Sequence, residues 1–257
     1  MNTKNRKILI NMCLIGLFSA LCYVGVLINI PIPSPLGKPM IHLGNLVVVI
    51  VSLLFDGVVG GVSGSIGMGL YDIINGYDIW SISRTIILKL AIGLIVGFVY
   101  HKLIKKESKT PLFVLFITGG FLTILGGTFL ILATINNGSF TVEAINKTIT
   151  ITWPVYTFTL IMGLFLLFVG ILSSKFPYKL QAAAIATSLA ICVNICGEFI
   201  YKVLKQMALG GTNFIHSVYL GFTSLPSTLI NGGITLFVIL IIFIPIETAI
   251  LKKYKRQ

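Results

Sequence analysis

The sequence predicts an all-α integral membrane protein, and three observations carry that prediction. Hydrophobic residues fill 56% of the 257 positions and charged residues only 10%, where a soluble domain carries about a quarter charged residues. The apolar residues come in long runs, so that mean hydropathy reaches +1.01. The basic residues punctuate these runs in short clusters, with a net charge of +12. Such punctuation is the mark of membrane topology rather than of a basic face that grips nucleic acid.

A spanning helix needs about 20 mostly apolar residues, and about eight stretches approach or exceed this: 8–28, 41–55, 58–74, 81–104, 111–135, 152–173, 180–204 and 224–251. The first follows Lys4, Arg6 and Lys7 and has no small-residue cleavage site, so it reads as a transmembrane helix and not as a signal peptide. The second and third are short and separated only by Asp56 and Gly57, which predicts a tight hairpin of incomplete span. The third carries Gly57, Gly61, Ser65 and Gly69 at four-residue steps, a strip on which another helix can approach closely. Gly16 and Ala20 make a smaller version in the first helix.

Trp80 opens the fourth stretch, which contains Arg84 and Lys89. The fifth and sixth enclose a polar loop at 136–150, the seventh contains Glu198, and Pro226 separates an interfacial piece from the final span. The expected organisation is one transmembrane domain over 1–257: four helices in 8–104, a helical hairpin in 111–176 and two last helices in 180–251.

Orientation follows from charge. With the N-terminus inside, thirteen of the nineteen Lys and Arg residues fall on the cytoplasmic side, at Lys4, Arg6 and Lys7, around Lys102 to Lys109, at Lys175 and Lys179, and from Lys252 to Arg256. Both termini are then cytoplasmic in a multi-pass protein of the cell membrane. The outer side receives the loop of Pro31, Pro33, Pro35 and Pro39, the turn at 75–80, the 136–150 loop and the 206–216 stretch. These read equally as a lid over a pocket or as ordinary connections. Cys13, Cys22, Cys192 and Cys196 all lie in apolar stretches and offer neither a disulfide framework nor a metal motif.

Charges inside a span cost about 2.5 to 3.5 kcal/mol each at a helix centre, so Asp72, Arg84, Lys89 and Glu198 stand out, marking either a site or an interhelical ion pair between Lys89 and Glu198. Asn45 and His42 lie at the same outer level, with Tyr71, Asn75, Tyr77 and Trp80. Amide, carboxylate and aromatic groups together suit a small planar ligand, and an interfacial aromatic belt is the alternative for Tyr77 and Trp80.

Ile30-Pro31-Ile32-Pro33, Leu43-Gly44-Asn45, Leu53-Leu54-Phe55-Asp56-Gly57 through Asp72, Trp80 with Ile87-Leu88-Lys89, Gly197-Glu198 and Leu225-Pro226-Ser227-Thr228-Leu229-Ile230-Asn231 together resemble the substrate-binding S components of energy-coupling factor (ECF) vitamin transporters, in the riboflavin-type branch. The resemblance implies a six-helix bundle, to which 111–176 adds a transmembrane hairpin. It implies capture of a vitamin or precursor, riboflavin-, pyridoxine- or hydroxymethylpyrimidine-like, by Asn45, Asp72, Trp80, Lys89 and Glu198, with Tyr201 and Asn231 as further contacts. It also implies docking through Gly16 and Ala20 on a membrane coupling subunit that works with two cytoplasmic ATPases, although the family's docking motif is usually alanine-based.

The chain has no phosphate-binding GxxxxGK[ST] loop, so ATP hydrolysis falls to partners, and no catalytic residues, metal or cofactor are expected. His42, His101 and His216 are scattered, which argues against an intramembrane enzyme. The competing reading is a stand-alone secondary transporter in which Asp72, Lys89 and Glu198 carry ions or protons.

Overall fold

An uncharged run in lipid has no water to satisfy its backbone, so it closes into helix. The computed structural model describes residues 3–31, 40–106, 111–135, 140–144, 147–151, 153–211, 213–222 and 225–254. In chain order the elements are α1 (Thr3–Leu27), β1 (Asn29–Pro31), β2 (Met40–His42), α2 (Gly44–Leu54), α3 (Gly57–Ile74), α4 (Ile79–Lys106), α5 (Phe113–Ile135), β3 (Phe140–Ala144), β4 (Lys147–Ile151), α6 (Trp153–Ser173), α7 (Tyr178–Leu209), α8 (Phe214–Phe222) and α9 (Leu225–Tyr254). Among the described residues, seven helices are long and apolar enough to cross a membrane. The chain is an all-α integral membrane protein, and its described residues include two small antiparallel strand pairs, β1 with β2 and β3 with β4.

Three elements depart from the sequence expectation. The second helix is shorter, because Met40–His42 pairs as a strand with Asn29–Pro31. At 11 residues, α2 rises only about 16 Å, roughly half the hydrocarbon thickness. The polar stretch at 136–150 holds the β3–β4 hairpin, with Phe140 opposite Ile151. Helix α7 continues to Leu209, five residues past the expected end, and α8 forms the separate short piece before α9. Pro226 lies in the first turn of α9, where its missing N–H leaves no bond unmade. The proline-rich loop lies outside the described residues, except for Pro31 in β1.

Glycine sets the spacing at the centre. On one face of α3, a methyl on Gly57 would stand 2.7 Å from the Gly93 carbonyl oxygen and one on Gly61 2.8 Å from the Leu90 oxygen. Ser65 Oγ donates to the Ile86 carbonyl at 2.8 Å. The expected strip therefore packs within the chain, against α4. On the other faces, Gly60 and Gly64 meet α2 at Ser52 and Val48, and Gly67 meets α1 at Ser19. Backbones this close pack without side chains between them, which is how helices associate where lipid removes the hydrophobic drive.

Helices α5 and α6 repeat the device, with Gly126 against Leu160 and Gly163 against Thr123. Ala182, Ala183, Ala186 and Ala190 bury the same kind of small face on α7. At the end of the bundle that carries the basic clusters, Lys179 pairs with Glu247 of α9 at 2.6 Å, and the Tyr178 hydroxyl donates to the Leu103 carbonyl of α4.

Candidate functional site

At the opposite end, the last turn of α3, the first turns of α4, the C-terminal half of α7 and the start of α9 surround a cavity of about 440 Å³. Its size is within the range of small-ligand pockets. Of the seven residues expected to form a site, Asn45, Asp72, Lys89, Glu198, Tyr201 and Asn231 line it and Trp80 does not. Trp80 stands behind Tyr201, edge to face at 5.9 Å between ring centres, and its carbonyl accepts the Tyr201 hydroxyl. The indole thus orients a wall residue.

Local structure explains how each group arrives. Helix α3 ends on Asn75, after which Gly76 takes φ of +67° and turns the chain back. The Gly76 N–H reaches the Ile73 carbonyl and the Tyr77 N–H the Asp72 carbonyl, the paired bonds of a left-handed helix stop. The stop sets Asp72 and Tyr77 on the cavity wall. Asp72 Oδ2 accepts the Thr85 hydroxyl at 2.5 Å from α4, so one carboxylate oxygen is held in place.

Glu198 pairs with Arg84 at 3.0 Å and not with Lys89, which removes the Lys89–Glu198 ion pair that the sequence left as the alternative to a site. Arg84 lies nearer the mouth, over a turn of α4 before Lys89, and its longer fork spans to α7. Lys205 pairs with Asp78 at 2.6 Å, and Ser81 Oγ donates to the same carboxylate oxygen at 2.8 Å. Burial alone would raise the Asp78 carboxyl, but the Lys205 and Ser81 hydrogen bonds and the lysine charge outweigh it and hold it at about 2. Burial, with the Asp72 charge next, pushes the Tyr77 phenol up.

Asn231 uses both ends of its amide on the β2 backbone. Its Oδ1 accepts the His42 N–H at 2.9 Å and its Nδ2 donates to the Met40 carbonyl at 2.8 Å. An amide side chain here completes the strand as another strand would. Removal from water, then the nearby Lys89 charge, push the His42 imidazole down to about 3, so it stays neutral and Nδ1 accepts the Gly44 N–H. The β1–β2 hairpin is thereby pinned over one side of the cavity, to α9 through Asn231 and to α1 through the bond from Leu43 N–H to the Gly25 carbonyl.

Sequence reasoning passed over Asn194, Lys202 and Lys205. All three line the cavity, and with Glu198 and Tyr201 they recur at three- and four-residue steps along α7. A polar stripe at helical period inside an apolar run was the available signal. Gly16 and Ala20 of α1 are exposed, and a methyl on Gly16 would meet nothing within 4 Å.

The family described as "ECF-type riboflavin transporter, S component" matches residues 8–153, more than half of the chain. The match covers Asn45, Asp72, Trp80 and Lys89 and stops before the α7 and α9 contributions to the cavity. A protein of Pyrococcus woesei described as "Uncharacterized protein in gap 3'region" is 37% identical over 73 residues, which is 28% of this chain and 47% of that protein. The chain spans about half the length of that curated relative. No solved structure matches.

Proposed function

This chain belongs to the ECF-type riboflavin transporter S component family, and from that premise we propose that it captures a vitamin or vitamin precursor at the cell surface for ATP-driven import by partner subunits. As a member it is a substrate-binding component of a membrane transporter and not of an enzyme family. The observation that carries the finer reading is the convergence of Asn45, Asp72, Lys89 and Glu198 on one cavity, reached from four separate helices. Polar groups so costly in a membrane gather in one place when they have a ligand to hold.

The ligand is a small heterocycle, riboflavin-, pyridoxine- or hydroxymethylpyrimidine-like, hydrogen-bonded by Asn45 and Asp72 and contacted by Lys89, Glu198 and Tyr201. Trp80 acts through Tyr201, and Asn231 through the strand it pins. Both termini face the cytoplasm, since the basic helix ends lie opposite the cavity, and the cavity opens outward. The exposed α1 face of Gly16 and Ala20 docks on a membrane coupling subunit that is driven by two ATPases. The α5–α6 hairpin is the addition to the six-helix pattern and leaves this face uncovered.

Affinity purification of the tagged full chain from its native membrane tests the reading. A coupling subunit and two ATPases should co-purify, and uptake of the bound vitamin should stop when the ATPases are inactivated. Uptake that persists without ATPase activity, driven by an ion gradient, would replace this reading with a secondary transporter.

A further inference from the structure

The charges around the cavity do not balance. Arg84, Lys89, Lys202 and Lys205 line it against Asp72, Asp78 and Glu198. Two of the four cations are neutralised within the wall, Arg84 by Glu198 and Lys205 by Asp78. That leaves Lys89 and Lys202 outside any ion pair among the described residues, with Asp72 as the one unpaired lining carboxylate, itself engaged by Thr85. Lys89 is 5% exposed, and among the described residues it makes no ion pair or hydrogen bond. Asp72 and Glu198 act on it only across space, with neither carboxylate in contact, and a buried ammonium without a contacting counter-charge is costly unless something offsets it. Around it, the buried Arg84 Nε, Asn45 Oδ1 and Asn194 Oδ1 also have no partner. Asn45 and Asn194 are each 7% exposed and line the same cavity.

We infer that the ligand is an organic anion: a small ring compound whose acid group, carboxylate or phosphate, lies against Lys89, while its N–H or O–H groups donate to the amide oxygens of Asn45 and Asn194. This inference rests on the binding-subunit reading above and narrows its ligand class to the acid-bearing members. An anionic oxygen supplies the contacting counter-charge that Lys89 lacks and brings the residual charge of the cavity close to neutral. A ring with donors on its other edge satisfies the two amides. Arg84 Nε is a further unpartnered donor of a lining residue, and Lys202 adds to the positive field that favours capture of an anion from solution.

The test uses the full chain in lipid nanodiscs and three matched pairs of probes: nicotinate with nicotinamide, 4-pyridoxate with pyridoxine, and riboflavin 5′-phosphate with riboflavin. Native mass spectrometry reads occupancy and calorimetry reads Kd. In every pair that binds, the acid should bind at least about tenfold more tightly. Lys89→Met should bring the ratio of the two Kd values within each pair below about twofold, whatever it does to either member alone, and Lys89→Arg should retain the preference. If Lys89→Met does not fold, the pairwise preference of the native chain decides. A neutral member that binds as well as its acid overturns the anion assignment and leaves the binding subunit standing. If no probe of either kind binds, the anion assignment falls, and the binding-subunit reading is decided by the co-purification above.

Discussion

At the scale of single residues, Asn231 is the position whose role differs most from its appearance. A lone asparagine near a cavity invites a ligand contact, yet its amide is spent on Met40 and His42 of β2. Asn231→Leu removes both bonds and leaves two strand groups unpaired, at about 1 to 3 kcal/mol. Ligand should then dissociate about tenfold faster or more, and hydrogen exchange at residues 40–42 should rise by a comparable factor. Unchanged exchange there would reject the clamp. Asp78 gives the pH prediction. Its carboxyl is held at about 2, below its ordinary 3.8, so the stability it contributes is complete above about pH 4 and is lost as pH falls toward 2. Its side chain is 46% exposed, and solvent screening limits the effect to under about 1 kcal/mol. Asp78→Asn should flatten the thermal stability profile between those pH values and change it little at neutrality. Asp72, Lys89 and Glu198 were legible in the sequence, because charge inside an apolar run is expensive and needs a reason. The partner choice of Glu198 was not, since Arg84 and Lys89 sit on the same helix and only the crossing of α4 and α7 selects between them.

Among the elements, the glycine contacts separate two kinds of small residue that look alike in sequence. A methyl on Gly97 would lie 2.3 Å from the Gly57 nitrogen, and one on Gly93 2.2 Å from the Gly61 nitrogen. Gly93→Val should force α3 and α4 apart and destabilise the bundle by at least about 1 to 3 kcal/mol, the cost of overpacking, read as a lower midpoint of thermal unfolding in detergent. Gly16→Leu should leave that midpoint unchanged, because nothing lies within 4 Å. If the exposed α1 face docks the coupling subunit, the same variant keeps ligand affinity and loses co-purification. The strip of Gly57, Gly61, Ser65 and Gly69 was readable from its four-residue step, while its counterpart Gly93 and Gly97 in α4 gains meaning only from what faces it. The length of α2 was overread because Ile41 and His42 are as compatible with strand as with helix, and the pairing with Asn29 and Ile30 decides. The α7 stripe from Asn194 to Lys205 was legible and was obscured by the hydropathy of the residues between.

For the whole molecule, the basic ends and the polar cavity divide the bundle along its axis. One end holds the Lys179–Glu247 pair and the lysine-rich helix termini, and the other holds the cavity and the pinned β1–β2 hairpin. Glu247→Gln should loosen α7 from α9 at the basic end without changing ligand affinity, measured side by side on the purified chain. A loss of affinity would show that the two ends are coupled. The backbone contact of α3 with α4 has a mechanical consequence as well. Side chains that interdigitate can swing through rotamers and let helices slide, but glycine faces offer no such compliance. Gly57, Gly61, Gly93 and Gly97 therefore weld α3 and α4 into a stiff two-helix plate. Strain that accompanies opening of the cavity is then carried along that plate rather than absorbed in it, and bending falls to the Gly76 turn at its margin, where a side chain would meet nothing within 4 Å.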